Sequence, residues 1–234
     1  MKLTVAGAGP FAARFTKSPP VKVCCIQSVA EARTAISAGA SALGLVSEMP
    51  SGPGVISEEL IAKIAASIPP TFPTFLLTSK QTAPDIIAQH RRCRTNTIQI
   101  CDRLNHGAYA ALRKALPGIG LMQVIHVADE ASVAEALEAA GHVDALLLDS
   151  GNPTATVKEL GGTGRTHDWS VSGRIAGQAA VPVFLAGGLK PENVRLAFDA
   201  VRPFGLDVCS GVRNDGRLDP EKLARFIAQS QNHS

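Results

Sequence analysis

The stretch "VPVFLAGGLKPENVRLAFDAVRPFGLDVCS" at residues 181–210 contains the unit from which the fold follows. An apolar run (181–186) leads through a glycine-containing loop into a segment whose apolar positions recur three and four residues apart. A second apolar run (205–210) comes next. This order predicts a strand, an amphipathic helix and a second strand. Two strands that are joined through a helix pair in parallel.

The same unit repeats along the chain from residue 21 onward. Apolar runs predict strands, and the amphipathic segments between them predict helices. The predicted strands cover residues 21–26, 42–46, 74–78, 97–100, 120–127, 145–149, 181–186 and 205–210. Strict alternation implies an all-parallel sheet, and eight such units in a chain of 234 residues favour a (β/α)8 barrel. An open doubly wound sheet is the alternative.

The chain length predicts one domain, because single α/β barrels commonly reach this size. We expect the barrel over residues 21–230, an N-terminal extension over residues 1–20 and a polar tail over residues 231–234. The extension contains "GAGPFA" (7–12), whose glycine spacing is similar to that of dinucleotide-binding loops, but Pro10 interrupts the expected strand-to-helix transition. A tail, an added strand or a cap under the barrel is predicted there instead of a cofactor site.

Composition excludes several classes of function. The net charge is +3, the basic residues are scattered and aromatic residues make up 4% of the chain, so a nucleic-acid partner is not expected. No apolar run approaches the length that spans a bilayer, which predicts a soluble, cytoplasmic protein without a membrane partner. The five cysteines, at positions 24, 25, 93, 101 and 209, lack CxxC spacing. We therefore expect reduced thiols and neither a disulfide framework nor a zinc site.

Polar residues near the carboxyl ends of the predicted strands are the catalytic candidates, because barrel enzymes collect their chemistry there. Cys24 lies near the end of the first strand, Gln99 near the end of the fourth, Asp149 ends the sixth and Asp207 lies in the eighth. Side chains alternate along a strand, so at most one of Cys24 and Cys25 is expected to point into the barrel. Asp149 would either serve a turn or act as a general acid or base.

Three glycine-containing loops follow the last three strands: "GGTG" (161–164), "AGGL" (186–189) and "CSGV" (209–212). Glycines let backbone N–H groups converge on an anion, and the loops after strands seven and eight of barrels often hold phosphate. Tight turns are the alternative role for such glycines. The predicted phosphate-binding residues are Gly161, Gly162, Thr163, Gly164, Gly187, Gly188, Ser210 and Gly211.

Several motifs together resemble one family. They are "KVCC" (22–25), "TIQI" (97–100), "LLLDSG" (146–151), "GGTGRTHDW" (161–169), "LAGGLKPENV" (185–194) and "DVCSGV" (207–212). In this order and at these spacings they resemble phosphoribosylanthranilate isomerase, over residues 21 to about 228. The resemblance implies a (β/α)8 enzyme of tryptophan biosynthesis that performs an Amadori rearrangement on a phosphorylated small-molecule substrate. It also implies no metal or organic cofactor, and a monomer or homodimer.

The resemblance places the family's catalytic cysteine at Cys24, as general base, and its catalytic aspartate at Asp149, as general acid. Gln99 and Asp207 would be polar groups around the sugar. A thiol works as a base only in its thiolate form, which a nearby cation stabilises. Lys22, two residues earlier on the same side of the strand, is the candidate cation.

The chain departs from the family's pattern in three segments, and in the first of them Gln27 and Ser28 stand where the family has a Thr-Arg pair. Cys25 stands where the family has glycine, Gly54 lies near the place of an arginine that binds the anthranilate carboxylate, and Cys101 replaces a histidine. We hypothesise that Arg213 or Arg165 compensates for the missing arginine. Two further readings stay open: an isomerase of another phosphosugar, and a non-catalytic paralogue that binds a phosphorylated metabolite.

Overall fold

Eight parallel strands close into a barrel in the computed structural model, which describes residues 10–162 and 164–231. The strands are β1 (Val21–Val23), β2 (Ala42–Val46), β3 (Thr74–Thr78), β4 (Thr97–Ile100), β5 (Gly120–His126), β6 (Ala145–Asp149), β7 (Val183–Leu185) and β8 (Gly205–Val208). Each strand pairs with the next, and β8 closes the ring on β1, with Lys22 opposite Asp207. The (β/α)8 prediction is confirmed, and this closure excludes the open sheet.

A helix follows each strand of the barrel. The helices are α1 (Val29–Ser37), α2 (Glu58–Ala66), α3 (Ala83–Cys93), α4 (Ala108–Ala115), α5 (Ala131–Ala140), α6 (Trp169–Gln178), α7 (Val194–Val201) and α8 (Pro220–Gln231). Side-chain caps begin several of them: the Ser28 hydroxyl accepts the Glu31 N–H, and the Ser57 hydroxyl accepts the Leu60 N–H. Within the two described ranges, no helix is both long and apolar enough to cross a bilayer.

Two apolar layers are separated by the sheet. Aliphatic side chains such as Leu43, Ile98 and Leu146 fill the space between the strands and the helices. Larger side chains, including Phe75 and Phe184, fill the interior of the barrel. Because side chains alternate along each strand, one strand supplies both layers, which is why the strands read as continuous apolar runs.

The segment before β1 closes the end of the barrel at which the strands begin. The Phe11 ring lies 6.3 Å from the Phe75 ring, and the Phe15 ring lies 5.6 Å from the Phe184 ring. Arg14 donates to the carbonyl oxygens of two residues that precede β4 and β5. The opposite end, where the strands finish, carries the predicted site residues. The part of "GAGPFA" before Pro10, residues 1–9 as a whole and residues 232–234 lie outside the described residues, and α8 continues to Gln231.

Four strands are shorter than predicted, namely β1, β5, β7 and β8. β5 stops one residue early, at His126, and β7 covers only Val183–Leu185. β1 ends at Val23, and β8 ends at Val208. Cys25 has φ +61°, a left-handed conformation that takes the chain out of the extended form. The alternation rule therefore stops applying before it reaches Cys25, and the direction of this side chain is set by the loop.

Candidate active site

A cavity opens at the carboxyl ends of the strands, and nearly all the predicted site residues line it. The lining includes Cys24, Gln99, Asp149, Asp207, Ser210, Gly161, Gly162, Gly164, Gly187 and Gly188. Thr163 lies outside the described residues. Gly211 does not line the cavity: a Cβ added to it would lie 1.9 Å from the Leu189 carbonyl oxygen. Its lack of a side chain lets the loops after β7 and β8 pack against each other.

Cys24 and Asp149 approach the cavity from well-separated strands. Cys24 follows β1 and keeps the barrel register, because its N–H donates to the Val208 carbonyl oxygen at 2.8 Å. Asp149 ends β6, and β7 and β8 separate it from β1. Both side chains are more than nine-tenths buried. The arrangement places a thiol and a carboxyl group on two sides of one small-molecule site.

The surroundings of Asp149 favour its acid form. Burial raises the pKa of this carboxyl group, and this outweighs the opposite effects of the Ser150 N–H and of His126. The Ser150 N–H donates to Oδ1 at 2.7 Å, which orients the carboxyl group. A Cβ added to Gly161 would lie 2.6 Å from Asp149 Oδ2, so only glycine at this position leaves the second oxygen its space.

Lys22 and Asp207 form a buried ion pair beneath the cavity. Lys22 Nζ lies 2.8 Å from Asp207 Oδ1, and the lysine side chain has no exposed surface. Burial alone would lower the pKa of Lys22, but the Asp207 carboxylate and other neighbours raise it, so the ammonium stays charged. A Cβ added to Gly44 would lie 3.1 Å from Cys24 Sγ and 3.3 Å from Lys22 Nζ. Both groups therefore lie against Gly44, with the cation beside the thiol.

We expect Lys22→Met to destabilise the fold by about 3–5 kcal/mol, because it leaves the Asp207 carboxylate buried without a counter-ion. Urea unfolding at neutral pH measures this loss. The double variant Lys22→Met/Asp207→Asn should regain much of it, since no buried charge is then uncompensated. Because the folded pKa of Lys22 is raised, the wild-type pair should stabilise the fold at neutral pH and lose that effect as the pH rises through the folded value. A single variant that unfolds at the wild-type urea concentration would contradict this role.

Gln99 and Cys101 line the cavity on the side of β4. Gln99 is 3% exposed, and its Oε1 has no hydrogen-bond partner among the described residues. A buried amide oxygen that faces a cavity is suited to accept a ligand hydroxyl. Burial raises the pKa of the Cys101 thiol, which lies at the position where the resemblance expects a histidine. A neutral thiol is therefore expected there.

The loops after β6 and β7 meet through glycines. Gly187 and Gly188 have φ values of +85° and +61°. A Cβ added to Gly188 would lie 2.7 Å from the Arg165 carbonyl carbon, so the two loops touch backbone to backbone. Consecutive residues of this kind turn their backbone N–H groups toward one side, which makes a concave site for an anion.

Comparison with known proteins places the chain in one family. A family model described as N-(5'-phosphoribosyl)anthranilate (PRA) isomerase matches residues 21–229, which is nearly the whole barrel. This chain belongs to the phosphoribosylanthranilate isomerase family.

Individual relatives align with the sequence of this chain over almost their full length. The N-(5'-phosphoribosyl)anthranilate isomerase of Methanocella arvoryzae is 33% identical over 210 residues, which cover 89% of this chain and 96% of that protein. The enzyme of the same name from Halobacterium salinarum strain R1 is 35% identical over 214 residues, which cover 90% and 94%.

Solved structures of phosphoribosylanthranilate isomerases share the fold. The Pyrococcus furiosus isomerase has a TM-score of 0.76 at 26% identity, covering 92% of this chain and 99% of that one. A second isomerase, in complex with reduced 1-(o-carboxyphenylamino)-1-deoxyribulose 5-phosphate, has a TM-score of 0.71 at 27% identity, covering 91% and 98%.

Two departures from the phosphoribosylanthranilate isomerase pattern are physically coupled in this chain. Cys25 and Gly54 stand where the resemblance places a glycine and an arginine. A Cβ added to Gly54 would lie 2.4 Å from Cys25 Cβ and 2.9 Å from Cys25 Sγ. A side chain at position 54 would therefore overlap the Cys25 side chain, and the two positions compete for one space. Cys25 lies in the loop after β1, where it lines the cavity together with Cys24.

The competition for space between positions 25 and 54 predicts that substitutions at the two positions have strongly non-additive effects on the free energy of unfolding. Gly54→Arg alone should destabilise the protein by about 2 kcal/mol or more. The Cβ of the new side chain would overlap the Cys25 side chain, and the backbone at position 54 has φ +82°, which is strained for any residue but glycine. Cys25→Gly vacates that space, so the double variant should recover about 1–3 kcal/mol of coupling energy. A double-mutant cycle by urea unfolding measures it. Strictly additive losses would show that the two positions do not compete for space.

The two arginines that could have replaced the missing one are engaged elsewhere. Arg213 pairs with Glu31, and its Nη2 donates to the carbonyl oxygens of Cys24 at 3.1 Å and Cys25 at 2.7 Å. Arg165 pairs with Glu159. Neither guanidinium lines the cavity. Arg213 instead holds the backbone that carries the two cysteines, a positioning role that the sequence did not suggest.

Proposed function

We propose that this chain converts N-(5-phosphoribosyl)anthranilate into 1-(2-carboxyphenylamino)-1-deoxyribulose 5-phosphate, the isomerisation step of tryptophan biosynthesis. The observation that carries the proposal is one cavity lined by Cys24, by Asp149 and by the glycine loops after β6 and β7. Membership of the phosphoribosylanthranilate isomerase family supports the same reaction.

Asp149 is the proposed general acid. Its protonated carboxyl group donates to the furanose ring oxygen, the bond between C1 and that oxygen breaks, and an open-chain imine forms between C1 and the anthranilate nitrogen. Burial of Asp149 supports this role, since it raises the carboxyl pKa and increases the protonated fraction.

Cys24 is the proposed general base. Its thiolate removes the proton from C2, and the electron pair moves to give an enamine with a hydroxyl group on C2. Tautomerisation then places a proton on C1 and leaves a ketone at C2. Every atom of the substrate is retained, so no oxidant or reductant is required. The Lys22 ammonium lies against Gly44 together with Cys24, so a positive charge is close to the proposed base.

The phosphate group is proposed to bind the backbone of the glycine loops and the Ser210 hydroxyl. No lysine, arginine or histidine is among the described residues that line the cavity. Backbone N–H groups are therefore the main donors available to a phosphate here.

We expect Ser210→Ala to raise KM roughly 10-fold and to change kcat by less than about twofold, because a hydrogen bond to a charged group present in both ground and transition states contributes mainly to binding. Steady-state kinetics measure both constants. Ser67→Ala is the matched control: its hydroxyl donates to the Ile64 carbonyl oxygen at the end of α2, outside the cavity lining. Equal KM values for wild type and Ser210→Ala would remove Ser210 from the phosphate site.

A second candidate, the same chemistry on a different phosphosugar, rests on Gly54. With no cationic side chain among the described lining residues, the cavity offers no guanidinium fork to a substrate carboxylate. An anthranilate carboxylate would then depend on weaker donors.

One experiment separates the candidates. Purified protein is incubated with N-(5-phosphoribosyl)anthranilate and formation of the ribulose product is followed, while the gene is tested for rescue of a tryptophan auxotroph that lacks the isomerase. Turnover with rescue supports the first proposal. Turnover only of another phosphosugar supports the second, and inorganic phosphate binding without turnover of either overturns both.

A further inference from the structure

Four of the five cysteines line the cavity, and two of them come from loops far apart in the chain. Cys25 follows β1, and Cys209 follows β8. Their sulfur atoms lie 2.7 Å apart, whereas a disulfide bond measures about 2.05 Å. Bond formation would thus need a movement of less than one ångström. The isomerisation proposed above uses neither thiol.

We infer that Cys25 and Cys209 form a reversible dithiol–disulfide pair, a modification site at the rim of the active-site cavity.

The backbone at Cys25 supports a specific role for this side chain. Cys25 has φ +61°, a left-handed conformation that is unfavourable for a residue with a side chain, and the family pattern has glycine there. The conformation directs the Cys25 thiol at Cys209. Gly54, by lacking a side chain, leaves the space that the thiol occupies.

Cys209 is the thiol suited to react first. It is partly exposed, whereas Cys25 is 4% exposed. Contact with Cys25 and the positive charge of Arg213 lower the pKa of Cys209, while the contacts of Cys25 with Cys209 and Cys24, together with burial, raise the pKa of Cys25. The more acidic and more accessible thiol is the better nucleophile toward an external oxidant.

Other pairings of the cysteines are disfavoured. Cys24 Sγ lies 3.8 Å from Cys25 Sγ, but a bridge between adjacent residues is strained. Cys101 and Cys93 are buried, and burial raises the pKa of both thiols. Among the residues from 10 to 231 that the structure describes, no group of three or more His, Cys, Asp or Glu side chains is arranged to hold a metal ion.

The chemistry balances with a small-molecule disulfide such as oxidised glutathione. The Cys209 thiolate attacks one sulfur of that disulfide, forms a mixed disulfide and releases one thiolate. The Cys25 thiolate then attacks the Cys209 sulfur and releases the second. The protein loses two electrons and two protons, the external disulfide gains them as two thiols, and a dithiol reductant reverses the exchange.

The test treats the purified protein with oxidised glutathione, then unfolds it and counts free thiols, with peptide mapping by mass spectrometry. We expect the count to fall from five to three, a cross-linked peptide pair containing Cys25 and Cys209, and full recovery with dithiothreitol. Cys209→Ser and Cys25→Gly should each give no internal bridge. Cys93→Ser, a buried thiol outside the cavity lining, should keep it.

Five unreacted thiols, a lasting glutathione adduct without a bridge, or a bridge that involves a different cysteine would each overturn the inference. Using two separate bridge-breaking variants keeps the test decisive if one of them fails to fold. Thiol counting needs no substrate, so its outcome is independent of the proposed isomerase activity.

Discussion

Asp149→Asn should lower kcat by about 100- to 10,000-fold while leaving KM within a few-fold of the wild-type value. Asparagine has nearly the same shape and keeps an oxygen that can accept the Ser150 N–H, which in the wild type donates at 2.7 Å. What it lacks is an acidic proton to give to the furanose ring oxygen. Steady-state kinetics on N-(5-phosphoribosyl)anthranilate, with urea unfolding as a check of the fold, measure the effect.

Asp144→Asn is the matched control for this variant. Asp144 immediately precedes β6, at the opposite end of the strand from Asp149, where it pairs with Arg113 and accepts the Leu121 N–H. It is not among the residues that line the cavity, so its variant should keep wild-type kcat even if stability falls. An Asp149→Asn protein that folds normally and turns over within tenfold of wild type would remove Asp149 as the general acid.

The pH dependence of kcat supplies a second readout of the same role. A general acid works only when protonated, so turnover should fall as the pH rises through the folded pKa of Asp149. Burial raises that pKa above the ordinary carboxyl range, and this fall should therefore lie at higher pH than for an exposed aspartate. In Asp149→Asn, the residual activity should not show it.

Cys24→Ala should also lower kcat by about 100- to 10,000-fold, because it removes the group that takes the C2 proton. Alanine fits the space without new contacts, so the fold should persist. Cys24→Ser should be almost as inactive, since a hydroxyl is a far weaker acid than a thiol and supplies almost no deprotonated base at neutral pH. The same kinetic assay measures both variants.

Two cysteine variants serve as comparisons for Cys24. Cys93→Ala removes a buried thiol between α3 and the sheet and should leave kcat unchanged. Cys25→Ala tests the neighbouring thiol, which its contacts with Cys209 and Cys24 and its burial keep protonated. If Cys24→Ala stayed active and Cys25→Ala did not, the base would be Cys25 and the assignment of Cys24 would be wrong.

Much of the fold could be predicted from the sequence because its signals are local. Apolar runs and three- and four-residue spacings report which face of each segment is buried, and all eight strands lie where these patterns predict them. The errors fall at strand ends. β5 and β7 are shorter than predicted, and so are β1 and β8, where Cys25 takes φ +61° and Cys209 leaves the extended form. At these two positions the apolar cysteines continue the strand pattern in the sequence, but contacts between loops determine the backbone conformation.

The site was predictable to the extent that it depends on strand ends. Since parallel strands finish at one end of a barrel, Cys24, Gln99, Asp149 and Asp207 had to meet near one another, and all four line the cavity. Gly211 is different, because it follows the same glycine pattern yet packs against the Leu189 carbonyl oxygen. In a sequence, a glycine that exposes its backbone N–H to a ligand cannot be distinguished from a glycine that lets two loops pack together.

The sequence by itself thus determined the alternating architecture and the strand ends that carry the proposed acid and base, because both follow from periodicity within short segments. Only the tertiary structure decided what surrounds them. Cys25 competes for space with Gly54 and meets Cys209 at 2.7 Å, across separations of 29 and 184 residues. Such contacts depend on where three loops converge and on one left-handed residue, and no local pattern encodes that convergence.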